Sequence, residues 1–190
     1  VGMSKALNEG FKNSNGNYLT YLNSDDKLDI ESLKVVKENF DKSLEVNWLI
    51  GNCKNFGDTK WINRLVNTYK KIVLNKLNFN ILSINNVIPQ PSVYWKADFF
   101  KKVGNFDEKL KFNMDYDLWL RMILLSKPKL LNKNLAYFRR HNDSLSHQNT
   151  TKQFQEKYVT MIRYNKNIFI KFIHIVISRV ILLIYFLSNY

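Results

Sequence analysis

The sequence predicts an α/β domain with a C-terminal set of helices, and three observations carry that expectation. Residues 4–42 run helix, strand, acidic turn, helix, the order of a sheet layered with helices and mostly parallel in its strands. Of the 190 residues, 45% are apolar and 24% charged, an ordinary folded composition with length enough for one core. Near residue 150 the pattern changes to a polar, basic helix and then an almost wholly apolar stretch. We therefore divide the chain into a domain of residues 1–150 and a tail of residues 151–190.

Each element follows from local pattern. Ser4 is a candidate cap for a helix over residues 4–13, which ends in Asn13-Ser14-Asn15-Gly16. Tyr18 to Leu22 has the aromatic and β-branched content of a strand. Leu33, Val36 and Phe40 fall at helical spacing within residues 30–42. Residues 46–51 predict a second strand, while residues 54–87 give no clear periodicity. Pro89 and Pro91 predict an extended Gln90 between two rings, followed by a short helix over residues 96–102. The clearest helix begins at Asn113 or Asp115, with Leu118, Trp119, Met122, Ile123 and Leu125 on its apolar side and Asp117 and Arg121 paired on its surface. Residues 135–141 predict an edge strand or extended loop, and residues 151–166 a helix with Phe154, Tyr158, Met161 and Ile162 on one side.

Composition narrows the function classes. The single cysteine, Cys53, excludes an intrachain disulfide and suits a reducing compartment; beside the strand of residues 46–51 it reads as a small core residue. The formal charge is +13 and lies toward the C-terminus: 18 basic against 14 acidic residues up to 126, then 11 against 2. Such charge attracts nucleic acid, anionic lipid or phosphorylated molecules. A basic nucleic-acid or lipid-binding module is one alternative, but zinc spacing, a recognition-helix signature and an RNA-binding aromatic motif are all missing from the sequence. We therefore expect no nucleic-acid partner. Val1-Gly2-Met3-Ser4 has no basic-then-apolar leader and stands at a helix start, which leads us to expect an amino-terminal segment upstream.

Four clusters carry candidate chemistry. Asn23-Ser24-Asp25-Asp26 ends a strand, where ligands bind in α/β sheets; its oxygens suit a hard divalent cation, or simply cap the next helix. Gln90 is a polar side chain braced by prolines, or an ordinary loop residue. Asp115 at a helix start, four residues before Trp119, suits a general base, or a capping acid over a core Trp. Arg139, Arg140 and His141 suit a diphosphate and a metal, or a surface turn.

Taken in order, these clusters resemble one family. The run Ala6-Leu7-Asn8-Glu9-Gly10-Phe11, Gly16-Asn17-Tyr18-Leu19, Leu22-Asn23-Ser24-Asp25-Asp26, Pro89-Gln90-Pro91-Ser92, Val103-Gly104-Asn105-Phe106-Asp107-Glu108, Asp115-Tyr116-Asp117-Leu118-Trp119-Leu120-Arg121 and Arg140-His141-Asn142-Asp143-Ser144 is similar to family 2 glycosyltransferases, most of all bacterial enzymes of polysaccharide and lipopolysaccharide synthesis. The resemblance covers residues 3–147. It implies a partial GT-A fold with a mixed sheet and an inverting transfer from a nucleotide-diphosphate sugar to a hydroxyl of a glycan or lipid-linked acceptor, with Mg²⁺ or Mn²⁺. It places the metal- and diphosphate-binding acid at Asp25, with Asn23 where the first acid of the motif usually stands. The catalytic base falls on Asp115, preceded by Met114 where a second acid is usual. Gln90 and Trp119 would line the donor or acceptor pocket, Arg140 and His141 would face the diphosphate, and His141 is a second candidate metal ligand. Family members begin with a strand-helix-strand unit that holds the nucleotide, so an inactive remnant is the second alternative.

The tail keeps three readings open. Residues 168–187 are long enough to span a bilayer, but Lys171, His174 and Arg179 are expensive there. Lys171, His174 and Ser178 share one stripe, which favours a helix lying in the interface beside anionic lipid, against a spanning or re-entrant helix and a buried one. The expected location is peripheral, on the cytoplasmic side of the cell membrane.

Overall fold

The structure is a computed structural model that describes residues 2–57, 61–140 and 149–188. In chain order the elements are α1 (Met3–Lys12), β1 (Tyr18–Leu19), β2 (Lys27–Leu28), α2 (Ser32–Asp41), β3 (Trp48–Gly57), α3 (Trp61–Leu74), α4 (Phe79–Ile84), β4 (Val93–Lys96), α5 (Ala97–Val103), α6 (Met114–Leu125), β5 (Lys129–Arg140), α7 (Thr150–Tyr164) and α8 (Ile168–Ser188). The sheet runs β1-β4-β3-β5-β2. Among the described residues only β3 and β5 pair in parallel; β1 with β4, β4 with β3, and β2 with β5 are antiparallel. The sheet is thus mixed, and the mostly parallel sheet suggested by element order is corrected. The reason is that β1 and β2 are two-residue strands that each pair with a strand far along the chain. β5 is likewise not an edge strand, because it lies between β3 and β2.

Two apolar layers cover the sheet. On one face α2 lays Val36 and Phe40 against Leu49, Tyr94 and Leu135. On the other, Trp48, Trp95 and Trp119 form an aromatic centre: Trp119 stacks on Trp48 at 6.0 Å between ring centroids and meets Trp95 edge-on at 5.6 Å. Burying rings of this size contributes more than any other residue type in such a core. Met161 of α7 belongs to the same core, with Tyr158 and Ile162 against it, so packing continues across the boundary expected at residue 150.

Several local expectations change. Ser4 is not the cap of α1; Gly2 is, and the buried Ser4 hydroxyl donates to the Leu110 carbonyl at 3.4 Å and the Met114 sulfur at 2.9 Å. Gln90 to Ser92 form a 3₁₀ turn rather than an extended segment, because the N–H groups of Ser92 and Val93 bond back to the carbonyls of Pro89 and Gln90. Asp117 pairs with Arg121 at 2.8 Å, but inside the protein: Asp117 is 2% exposed. Arg121 then closes the end of α5 by donating to the carbonyls of Val103, Gly104 and Asn105. Gly104 ends α5 at φ +89°, a conformation L residues rarely adopt. Gly51 sits where the β3–β5 register shifts, and a Cβ there would lie 2.4 Å from Leu135 Cγ.

Candidate functional site

The acidic turn is built by contacts from three directions. Asn23 Nδ2 donates to Asp26 Oδ2 at 3.2 Å and to Gln90 Oε1 at 3.3 Å. Gln90 Nε2 donates to the Tyr21 carbonyl at 2.8 Å. Asp26, buried, accepts from the Arg139 backbone N–H at 3.0 Å, so β5 fixes the turn from the far end of the sequence. Asp25, half-buried, follows Asn23 and Ser24 into the cleft. Asn23 Oδ1 is buried without a hydrogen-bond partner among the described residues.

The second acid stands at the start of α6. The Asp115 carboxylate accepts from the Tyr116 backbone N–H at 2.7 Å, which ties it to the positive end of the helix. Ahead of it, Glu156 of α7 accepts from the backbone N–H groups of Lys111, Phe112 and Asn113 at 2.9, 2.8 and 2.8 Å. The Asn113 side chain donates to the Gln153 carbonyl at 2.8 Å. Tyr164, also of α7, donates its hydroxyl to Asp117 at 2.7 Å. The first turn of α6 is therefore held by α7.

Asp25 and Asp115 line one cleft of about 1600 Å³, together with Asn23, Gln90, Arg140 and Lys157. Tyr21 lies near both acidic ends: burial raises its phenol well above the ordinary value, and the charges of Asp115 and Asp26 raise it further. Burial also pushes the Asp115 carboxyl up to about 6, against the pull of its backbone hydrogen bonds and of Lys70 and Lys157. Lys157 is drawn down to about 7 by burial and by Lys70, while Asp115 acts in the opposite sense. Cys53 lines the cleft half-buried instead of sitting in the core, and burial pushes its thiol up to about 12, which keeps it protonated.

Of the residues singled out from sequence, Asn23, Asp25, Gln90, Asp115 and Arg140 meet at this cleft. Trp119 does not. It has no exposed surface, and its ring is held between Trp48 and Trp95, so it supports the sheet rather than a pocket wall. His141 lies outside the described residues. Among the described residues no three His, Cys, Asp or Glu side chains stand close enough together to hold a metal. Sequence reasoning missed Lys70, Lys157 and Glu156. Lys157 had a signal: with Phe154, Tyr158 and Met161 it occupies a core-facing position of α7, an unusual place for a lysine.

Residues 1–103 match the sequence model of Glycosyl transferase family 2. The chain belongs to that family. Similar family relatives include uncharacterized glycosyltransferases of Rickettsia conorii, 29% identical over 123 residues, and of Rickettsia typhi, 28% identical over 130 residues. These alignments take in 64% and 66% of this chain but 20% and 40% of the relatives. Among solved structures the family 2 chain is similar to Staphylococcus aureus TarS 1-349 in complex with UDP, with a TM-score of 0.56 and 18% identity over 86% of this chain and 46% of that one. The same protein in complex with UDP-GlcNAc gives a TM-score of 0.56 at 16% identity, over 86% and 48%. At these identities the likeness speaks for the fold, a GT-A fold. The family 2 chain thus spans less than half the length of these relatives and structures.

α8 forms part of the cleft wall, where Ile177, Val180, Ile181 and Ile184 line it. Its expected polar stripe turns inward: His174 and Ser178 are buried against α4 and α7, with His174 Nδ1 2.8 Å from the Ser83 carbonyl and its ring 5.8 Å from that of Tyr158. Burial lowers His174 to about 4, so it is neutral. The side of α8 away from the cleft is apolar, including Phe169 at 76% and Phe172 at 67% exposure, with Val176 and Leu183 at helical spacing. Among the described residues no helix is long and apolar enough to cross a membrane.

Proposed function

We propose that the protein carrying this chain is an inverting glycosyltransferase that moves a sugar from a nucleotide-diphosphate donor to a hydroxyl of a glycan or lipid-linked acceptor in cell-surface polysaccharide synthesis. The observation that carries this reading is that Asp25 and Asp115 line the same cleft. Asp115 acts as general base, and its upward-shifted carboxyl suits proton transfer near neutral pH. As the acceptor oxygen forms its bond to the anomeric carbon, its proton passes to the Asp115 carboxylate. The bond from the anomeric carbon to the diphosphate oxygen breaks on the opposite side, and its electron pair leaves with the nucleoside diphosphate. Arg140 adds positive charge at the cleft, where compensation of the leaving group counts most, and His141 is proposed beside it.

Mg²⁺ or Mn²⁺ fits the donors at the acidic turn. The Asp25 carboxylate and the buried, unpartnered Asn23 Oδ1 are hard oxygen ligands. Such a cation typically takes one or two protein carboxylates and completes its shell with phosphate and water, so a closed protein cage is not required. Asp25 would hold it with Asn23 and His141, and once bound it supplies Lewis-acid stabilisation of the diphosphate. Peripheral attachment to the cytoplasmic side of the cell membrane belongs to the same proposal, and the outward apolar face of α8 supports it.

The test uses the full-length protein. Asp115→Asn is expected to cut turnover by ~10² to 10⁴-fold with little change in donor affinity. Asp25→Ala is expected to weaken Mg²⁺-dependent donor binding. Turnover near wild type for the first variant removes the base assignment, and unchanged metal-dependent affinity for the second removes the ligand assignment.

A further inference from the structure

We propose that the acceptor is lipid-linked and that its hydrocarbon chain runs along α8, over Ile177, Ile181 and Ile184, from the outward apolar face of that helix into the cleft. This inference rests on the assignment of the cleft to sugar transfer with Asp115 as base, and it narrows the acceptor to one of the two classes named above.

The wall of the cleft changes character along its length. Around the acidic turn it is polar, with Asn23, Asp25 and Gln90. Along α8 it is aliphatic, with Ile177, Val180, Ile181 and Ile184. Ile177, Ile181 and Ile184 fall on one face of the helix and cover ~10 Å of its axis. Each is apolar, and each is only partly buried. Two rings join this stretch to the base. Phe112, three residues before Asp115, lines the cleft, and its N–H donates to Glu156 at 2.8 Å. Phe154, two residues before Glu156 on α7, lines the cleft as well. The Tyr158 and His174 rings bring α7 and α8 together at 5.8 Å. One turn from that contact on each helix, on the side away from the link of residues 165–167, stand Phe154 and Ile177.

Val180 decides where the wall leads. It lines the cleft and is also 49% exposed. By helical spacing it lies between Ile177 and Ile184 on one side and between Val176 and Leu183 on the other. The aliphatic wall therefore continues around α8 to the outward face that carries Phe169 and Phe172. An acceptor that is glycan throughout would set hydroxyls against this wall, where they lose water and gain no hydrogen bond. A hydrocarbon chain gains up to ~4-fold in affinity for each methylene it buries. A nucleotide-diphosphate sugar carries no such chain, so the wall belongs to the acceptor.

The experiment is calorimetric titration of the full-length protein with methyl, butyl, hexyl and octyl β-glucoside, each below its micellar concentration, with and without saturating Mg²⁺ and UDP or GDP, whichever the protein binds. Affinity should rise ~2- to 4-fold per methylene from butyl to octyl, at one site per chain, and should persist with the nucleotide present. Ile177→Ser with Ile181→Ser should weaken octyl glucoside by ~10-fold or more. Val180→Asp, at a half-exposed position that accepts a polar side chain without unfolding, should weaken it in the same direction. Phe169→Ser with Phe172→Ser should leave it unchanged. A flat series, several weak sites for the octyl compound, or unchanged affinity in both cleft variants overturns the proposal. So does an equal loss in the Phe169 and Phe172 variant, which would place the chain on the outer face, or displacement by nucleotide, which would give the wall to the donor. None of these measurements needs turnover. If Asp115→Asn keeps wild-type turnover while the series rises as expected, the base assignment fails and the hydrocarbon site stands; if Asp115→Asn cuts turnover and the series is flat, the base stands and the lipid-linked acceptor fails.

Discussion

Glu156 of α7 holds Asn113, the residue that opens α6, by its backbone N–H at 2.8 Å and its side-chain amide at 3.4 Å. The same carboxylate bonds the N–H groups of Lys111 and Phe112. These donors precede a helix, where intrahelical partners do not exist, so one charged group closes the end of α6. Glu156→Ala leaves them without it and should cost ~2–3 kcal/mol in urea unfolding. Turnover should fall more than donor affinity, since Asp115 sits two residues beyond the clamped Asn113. Unfolding and kinetics within wild-type error would show the clamp to be idle.

The pH dependence has a definite sign. Asp115 must be ionised to accept a proton, so kcat/KM should fall as pH drops through about 6. Lys157 favours the ionised form, and Lys157→Met should move that limb to higher pH. Because the folded value is raised above the ordinary 3.8, Asp115 favours folding most below that value, and the contribution is lost as pH rises through about 6. The stability of Asp115→Asn relative to wild type should therefore improve by ~3 kcal/mol between pH 3.5 and pH 7.5, measured by denaturant unfolding. No change in this difference would place the carboxyl in a wet, unperturbed site.

Trp119→Ala separates support from binding. Loss of the ring between Trp48 and Trp95 should cost ~3–5 kcal/mol. In whatever fraction remains folded, donor affinity should match wild type. A selective loss of donor affinity with stability intact would return Trp119 to the pocket.

The outward face of α8 gives a prediction free of the cleft. Phe169→Ser with Phe172→Ser removes two rings that are 76% and 67% exposed. Cosedimentation with vesicles of anionic phospholipid should drop by ~10-fold or more, while thermal stability changes by less than ~1 kcal/mol. Equal pelleting of variant and wild type would end the membrane reading.

How far the sequence reveals this protein depends on the range of the force involved. α2, α6 and α7 were legible because each writes a 3.6-residue apolar pattern into adjacent residues. The acidic turn that carries Asp25 and the helix start that carries Asp115 were legible because turn and helix-start chemistry is local. The strand order was not, since β1 and β2 are two residues each and take their partners from β4 and β5. Trp119 was misplaced because a pattern shows that a ring faces inward, not whether that interior holds a ligand. The polar stripe of α8 suggests a helix side facing the membrane interface, yet His174 is received by Ser83 and Tyr158. Contacts between residues 91 and 16 positions apart leave no trace in a local window.

The long reach of β5 bears on how the chain is made. Among the described residues β2 pairs only with this strand, and Asp26 accepts a hydrogen bond from the Arg139 backbone N–H, 113 residues later. On a ribosome, the acidic turn emerges early and waits for its template until nearly three quarters of these residues have been synthesised. Closing so large a loop is entropically slow. The acidic turn that carries Asp25 is thus among the last parts of the cleft to become ordered.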